Sequence, residues 1–520
     1  MPMWHDPLRQ LVVYDTPDAD KVARMIPNAT RLSNGYIAVP TSTYNLQMLR
    51  YIGMPTLPPL EVNGYDYPGK FTPFDAQRVT ANFLVLNPRA FVLSDMGTGK
   101  TLSALWASDH VMRANPGLRC LVVAPLSTLR RVWSDAIFAS FLGRRTCVVL
   151  HGSAAKRKQL LEQPADFYII NPEGLEVLKR ELDVAARPDI RLVIVDEASM
   201  YKDRTTARHA LARKLLAARD YLWMMTGTPT PNAPTDAYGL AKLVNNCHGE
   251  SYASFQNRTM MRFNQFIWKP RSGAHAEVHR LLQPSVRFAI GDCIDLPPCT
   301  TQSREVELSS AQAKAYKELK RDYVLLTKQG QITAQNEAVL RMKLIQISCG
   351  AVYGEKRSIT RLDAAPRIKA LREAMEQCNE KIIIFAPLTS VITMLQEELS
   401  DYSCGVVRGS SDGGPSDKER NETLSDFMSK EKPRVLIAHP RTMAHGLTLT
   451  QASTVIWFGP IDSTELYLQA NKRIDRPGQV HATTIVQLTS TSVETEIYRR
   501  LAANETLQGA LLALAKGGWE

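Results

Sequence analysis

Short runs of consecutive apolar residues, separated by longer amphipathic stretches, dominate two parts of this chain. Between about Phe71 and Leu240 the runs are FVL, LVVAP, CVVL, FYII, LVIVDE and YLWMMTGT. A strand buried on both faces reads as a continuous apolar run, and strands that alternate with helices pair in parallel. The pattern predicts an α/β unit with a parallel sheet covered on both sides. From about Ala364 the alternation resumes as KIIIFAP, CGVVRG, RVLIAHP, TVIWFGP and TTIVQLT, which predicts a second sheet of the same kind. From about Ala241 to Asp363 the chain is mixed and mostly helical. There AQAKAYKELKRDYVLL (Ala311–Leu326) predicts a helix with Tyr316, Leu319 and Tyr323 on one stripe. The stretch up to Gly69 is rich in Pro, Asn and Tyr, with a strand candidate at Gly35–Val39 ended by Pro40, and predicts a small accessory α/β unit. SSDGGPSDKER (Ser410–Arg420) reads as a flexible loop. The expected division is an accessory unit over 1–69, a first lobe over 70–240, helical insertions and a linker over 241–363, and a second lobe over 364–520.

A chain of 520 residues is too long for one core, which agrees with that division. A hydrophobic share of 44% and a mean hydropathy of -0.20 fit a globular protein in water. No uninterrupted apolar stretch is long enough to span a bilayer, and MPMWHDPLRQ lacks a signal-peptide core. The eight cysteines are scattered without CxxC pairs; Cys293 and Cys299 are the nearest two, and no His pair completes a zinc set. Reduced thiols and a cytoplasmic setting, bacterial or viral, are expected, with nuclear residence left open. The net charge of +11, from 63 basic and 52 acidic residues, suits a polyanionic partner. The basic residues are dispersed, with clusters at Arg130-Arg131, Lys156-Arg157-Lys158 and Lys472-Arg473, so folding would have to assemble any nucleic-acid surface. A solvated helix face explains any one cluster equally well.

Three motifs carry candidate chemistry. SDMGTGKT (Ser94–Thr101) follows an apolar run and opens onto a helical pattern, the context of a phosphate-binding loop. Met96, Gly97, Thr98 and Gly99 would turn backbone N–H groups toward an anion at a helix start. Lys100 would reach the β- and γ-phosphates and Thr101 would hold Mg²⁺. The strict pattern wants Gly where Ser94 stands, and an ordinary strand–turn–helix joint is the alternative. Second, Asp196 and Glu197 follow the strand Leu192–Val195, at the end of a parallel strand where ligands gather. Asp196 would hold Mg²⁺ through water and Glu197 would deprotonate the attacking water; acidic residues at a helix start are the alternative. Third, Thr226-Gly227-Thr228-Pro229 ends another strand in small hydroxyl residues able to sense the γ-phosphate, or forms a plain turn.

The order of SDMGTGKT, LVVAPLST, FYIINPEGL, VDEAS and MMTGTPTPN resembles the first motor lobe of superfamily 2 helicase-like ATPases, and more narrowly the Swi/Snf-type double-stranded-DNA translocases. Their phosphate loop typically reads DEMGLGKT, which removes the objection to Ser94. KIIIFAPLTSVITMLQEEL, HPRTMAHGLTLTQASTVIWFGP and QANKRIDRPGQ resemble the motifs of the second lobe. LPPCTTQSREVELSSAQAKAYKEL and LRMKLIQISCG are similar to the helical insertions of the Swi/Snf group, and the likeness covers roughly Phe71 to Arg500. The resemblance implies two RecA-like lobes, ATP and Mg²⁺ as ligands, a double-stranded or forked DNA partner, and no membrane; a monomer is expected. It implies that Arg473 and Arg476, three apart on one helix face, meet the γ-phosphoryl group of a triphosphate held by the first lobe. Gln77 in FTPFDAQR would read adenine, with a helix-start glutamine as the alternative. Gly446 would join the nucleotide site and Gln469 the coupling set of Thr226, Gly227 and Thr228. Ser127, Thr128, Arg130 and Thr448 would grip DNA phosphates, although each also suits a cap or surface position.

Two positions depart from the family pattern. Thr442-Met443-Ala444 stands where Ala-Gly-Gly is general, and a Met there would crowd a close backbone approach. Ser199 replaces a frequent His. MIPNATRLSNGYIAVPTSTYNLQMLRYIG faintly resembles a segment ahead of the motor in annealing-helicase relatives. The expected function is a DNA-stimulated ATPase moving on duplex DNA. A strand-separating helicase on forks or RNA and a scaffold with vestigial hydrolysis are the alternatives.

Overall fold

A computed structural model describes residues 2–26, 28–70, 72–262, 268–293, 295–328, 334–354, 358–409, 414–443 and 449–503. The chain forms two compact units, 1–293 and 294–520.

The first unit opens with strands β1 (Met3–Asp6), β2 (Leu11–Tyr14), β3 (Thr30–Arg31) and β4 (Ile37–Pro40). They form an antiparallel sheet in the order β1-β2-β4-β3. Val12, Tyr14, Ile37 and Val39, at alternate positions, pack on Ala19 and Val22 of the helix Ala19–Met25 and on Leu46 and Leu49 of the helix Thr43–Tyr51. The accessory unit is thus a small sheet with two helices.

Seven strands follow: β5 (Arg89–Val92), β6 (Arg119–Val123), β7 (Cys147–Val149), β8 (Phe167–Ile170), β9 (Ile190–Asp196), β10 (Tyr221–Met225) and, beyond a hairpin of β11 (Met260–Arg262) with β12 (Trp268–Pro270), β13 (Ser285–Val286). The sheet is wholly parallel in the order β13-β5-β10-β9-β6-β8-β7. Alternate residues enter different cores. Leu192, Ile194 and Trp223 join one, with Leu105 and Trp106 of the helix Lys100–Ala114. Val193, Val195 and Met224 join the other, with Leu215 and Leu240. Both faces are covered, which is why each strand reads as an unbroken apolar run.

The second unit contains β14 (Cys299–Glu305), β15 (Ala351–Tyr353), β16 (Ile359–Arg361), β17 (Lys381–Phe385), β18 (Cys404–Val407), β19 (Val435–Ala438), β20 (Ala452–Trp457) and β21 (Thr483–Thr489). Its main sheet is again parallel, in the order β14-β21-β20-β17-β19-β18. β15 and β16 form a separate hairpin. The helix expected over 311–326 spans Ser310–Lys328; Tyr316 and Leu319 pack into the core, while the side chain of Tyr323 lies outside those described. A buried ion pair ties the unit together. Arg367 and Glu494, each 1% exposed, meet at 2.7 Å. The guanidinium also donates to Phe458 O (2.7 Å), Leu488 O (2.8 Å) and Ser490 Oγ (2.9 Å). Burial pulls the Arg367 pKa down, but Glu494 outweighs it and holds it above the usual arginine value.

Two expectations need correction. Ser416 caps the helix Asp417–Ser429, with Glu419 accepting from the Ser416 N–H at 2.8 Å, so the segment read as a loop to Arg420 is helical in its last four residues; residues 410–413 lie outside those described. The segment read as mostly helical also supplies β13 to the first sheet and β14 to the second.

Candidate nucleotide site

Strand register brings the three first-lobe motifs side by side. In β10, Met225 pairs with Val92 of β5 on one edge and with Asp196 of β9 on the other. Ser94–Thr101, Thr226–Thr228 and Glu197 therefore leave adjacent strand ends on the carboxyl side, where parallel sheets hold ligands. Gly97 (φ +87°) and Gly99 (φ +77°) take the left-handed turns, and Lys100 and Thr101 open the helix Lys100–Ala114. Lys100 Nζ donates to Ser94 O (2.8 Å) and Asp95 O (2.7 Å), and the Thr98 hydroxyl donates to Asp95 O (2.8 Å). The ammonium thus folds over the loop's own carbonyls, a position from which a phosphate can draw it away. Ser94 is buried and anchors the loop, its Oγ accepting the Phe288 N–H at 3.1 Å. Asp95 N donates to Phe288 O at 2.9 Å, so the segment after β13 braces the loop.

At the acidic end, Asp196 Oδ1 accepts the Glu197 N–H at 3.1 Å and Oδ2 accepts the Trp133 indole N–H at 3.0 Å. Glu197 has φ +52°, an uncommon conformation for a residue with a side chain. The Thr226 hydroxyl accepts the Thr228 N–H at 3.1 Å. Gly227 lies against the loop; a Cβ there would stand 3.5 Å from Ser94 O and 3.7 Å from Met96 N. Thr228 Oγ1 is buried with no hydrogen-bond partner among the described residues. A loop of turned N–H groups, a lysine spent on displaceable carbonyls, an orphan hydroxyl and two carboxylates fit a nucleoside triphosphate.

Gln77 sits beside the loop but is committed inward. It is buried; its Oε1 accepts the Phe74 N–H at 2.9 Å, and its Nε2 is 3.4 Å from Gly99 O. Adenine recognition would require this amide to turn. After β6, Ser127 and Arg130 are exposed, whereas Thr128 is buried and donates its hydroxyl to Pro125 O at 2.8 Å.

In the second unit the helix Thr464–Asn471 stops before the arginines. Arg473 and Arg476 lie in the turns beyond it, and Pro477 disfavours helix at the residue before it. The expected shared helix face is therefore absent: Arg473 is 2% exposed, while Arg476 is partly exposed and donates from Nε to Lys472 O at 2.7 Å. Gln469 is fully buried, with Nε2 donating to Glu465 at 3.3 Å. Gln479 fixes the turn by donating to Ala452 O (3.0 Å) and Ile474 O (2.9 Å). Gly446, Thr448 and Ala444 lie outside the described residues; Met443 is fully buried. Sequence reasoning missed Trp133 and the Phe288 brace. A tryptophan soon after the LVVAP strand was the available sign of the first; two residues of β13 gave none of the second.

Two parallel α/β sheets with a GKT loop at the strand ends of the first define a two-lobed nucleoside-triphosphate hydrolase. Residues 84–350, just over half of the chain, match the SNF2-related domain, and residues 366–478 match the helicase conserved C-terminal domain. The chain belongs to the SNF2-related ATPase family and is an ATP hydrolase. It is 26% identical over 436 residues to "Putative protein p41" of Acyrthosiphon pisum secondary endosymbiont phage 1, covering 79% of this chain and 90% of that protein. It is 25% identical over 434 residues to the "SWI/SNF-related matrix-associated actin-dependent regulator of chromatin subfamily A-like protein 1" of Xenopus laevis. That match covers 80% of this chain but only 41% of the frog protein. A solved structure, "Sulfolobus solfataricus SWI2/SNF2 ATPase core in complex with dsDNA", aligns with 87% of this chain and 94% of its own at 20% identity and a TM-score of 0.40. Among the described residues no helix is long and apolar enough to cross a membrane.

Proposed function

We propose that this chain is a DNA-stimulated ATPase motor that moves along double-stranded DNA. The observation that carries the reading is the register of β5, β10 and β9, which supports one site built from Lys100, Glu197 and Thr226–Thr228. In this reading the N–H groups of Met96 to Gly99 and the Lys100 ammonium bind the phosphates, with Lys100 leaving Ser94 O and Asp95 O to do so. Glu197 takes the proton from the attacking water, its backbone held by Asp196. Thr101 and Asp196 would hold Mg²⁺, which when bound would neutralise phosphate charge. The Thr228 hydroxyl, buried without a partner among the described residues, senses the terminal phosphate, and Thr226 steadies it by accepting the Thr228 backbone N–H. Arg473 and Arg476 serve charge neutralisation, with Arg476 the more accessible of the two.

The net charge of +11 and exposed Ser127 and Arg130 support a nucleic-acid partner gripped through phosphates. The match to a phage protein supports a bacterial or viral setting. ATP hydrolysis measured against duplex, single-stranded and forked DNA and RNA at low salt tests the reading. Duplex is expected to stimulate most, with the effect falling steeply as salt rises. Hydrolysis indifferent to every nucleic acid would remove the motor reading.

A further inference from the structure

The segment after β6 changes helical pitch twice within sixteen residues. Leu126–Thr128 is a 3₁₀ turn, Leu129–Ser134 is π-helical and Asp135–Phe141 is α-helical. A π stretch widens the turn and rotates whatever follows it, and such insertions concentrate at functional sites. Arg130 and Arg131 face solvent at its start, while Trp133 is fully buried two residues later. The indole body packs in the core that holds Ile137, Phe141 and Ile194. Its N–H donates to Asp196 Oδ2 at 3.0 Å while the Glu197 N–H donates to Oδ1 at 3.1 Å. Two directional donors from different elements therefore fix the plane of one carboxylate. A hydrogen bond to an ionised carboxylate is about twice as strong as a neutral one.

The exposed end of this segment carries Ser127 and Arg130, and its buried end holds Asp196, which in turn holds the backbone of Glu197. We infer that Trp133 is a positioning residue that transmits nucleic-acid engagement at Ser127 and Arg130 to the Asp196–Glu197 pair. This rests on the nucleotide and phosphate-backbone roles proposed above. Phosphate contact tightens the π turn and shifts the indole, and the shift turns the Asp196 carboxylate. The Glu197 backbone bonded to it follows, from a left-handed conformation that surrounding contacts must maintain. A tryptophan that only filled the core would act on stability and on basal turnover together. A positioning tryptophan acts on the ratio of stimulated to basal turnover.

Trp133→Phe keeps an aromatic body and removes the donor. With saturating duplex its stimulated kcat should fall about tenfold, the scale of one lost hydrogen bond to a charged group. Basal kcat should fall too, because the bond is already made without nucleic acid, but by less than the stimulated kcat, so that the ratio of stimulated to basal turnover drops several-fold. Arg130→Ala should lower the same ratio, and the double variant no further than Trp133→Phe alone, because the two act in series. An unchanged ratio in Trp133→Phe, or losses that simply add, would overturn the inference. A wild-type enzyme indifferent to every nucleic acid would instead overturn the motor reading, so the two failures are distinct. A measurement on the wild-type protein covers the case in which the variant does not fold. With 5-fluorotryptophan placed at position 133 alone by codon reassignment, its single fluorine signal should shift when duplex is added without nucleotide. A signal that stays in place would also overturn the inference.

Discussion

One methyl group at Gly99 probes the nucleotide loop more sharply than removal of a charged residue. The φ of Gly99 is +77°, and a Cβ there would stand 1.9 Å from Gln77 Nε2 and 2.7 Å from Gln77 Cδ. Gln77 cannot retreat without loss, because its Oε1 accepts the Phe74 N–H at 2.9 Å and the side chain is buried. Gly99→Ala therefore adds left-handed strain of about 1–2 kcal/mol and breaks a hydrogen bond worth about 1 kcal/mol. The expected loss of folding stability is about 2–3 kcal/mol, read by urea denaturation. The loop must also move its amides aside, so affinity for a fluorescent ATP analogue should fall about tenfold or more, or about 1.4 kcal/mol. Gln77→Ala removes the clash but not the strain. Adding Gly99→Ala to Gln77→Ala should then cost only about 1–2 kcal/mol. Wild-type stability and wild-type nucleotide affinity in Gly99→Ala would refute this account of the loop, and strictly additive losses would refute the contact with Gln77.

Glu197→Gln should bind ATP as the wild type does yet turn over about a hundredfold more slowly or worse, as for loss of a positioned base; near-normal turnover would remove Glu197 from that role. Glu494→Ala leaves the Arg367 guanidinium buried without its partner and should cost about 3–5 kcal/mol in urea denaturation. Replacing both, as Arg367→Met with Glu494→Leu, should cost less than the single change, and the opposite order would contradict the buried-pair reading. His110, buried and 3.1 Å from the Thr43 hydroxyl, has its pKa pushed down to about 4 chiefly by burial, with Asp109 opposing. The unfolded chain therefore binds this proton more readily, so stability should fall as pH drops from about 6.5 to about 4, by about 3 kcal/mol in all. His110→Gln should flatten that part of the profile relative to wild type, and an unchanged slope would refute it.

Both large sheets were legible because their strands are buried on two faces. Leu192 and Ile194 enter one core and Val193 and Val195 the other, leaving no polar break in the run. β14, CTTQSRE, was not legible: it is an edge strand exposed along nearly its whole length, so it carries no apolar signal. The helix beyond Asn471 was over-extended because the i,i+3 spacing of Arg473 and Arg476 suggested a common face, while Pro477 just downstream argued against it. The start of the helix at Ser416 was written in the sequence as Ser-x-x-Glu, but the glycines before it dominated the reading. The contents of the candidate site were legible as motifs, because phosphate loops and strand-end acids keep fixed local order. Their partners were not. Trp133 reaches Asp196 across 63 residues, and Phe288 reaches Ser94 across 194, and no local pattern encodes such distances.

Hydrolysis at the proposed Lys100–Glu197 site should drive movement along duplex DNA. Displacement of a third strand from a DNA triplex reports that movement without requiring the duplex to open. The strand should be released when ATP is added, and should stay in place with a non-hydrolysable analogue or with Glu197→Gln. A wild-type enzyme that hydrolyses ATP on duplex yet never displaces the strand from either side would contradict it.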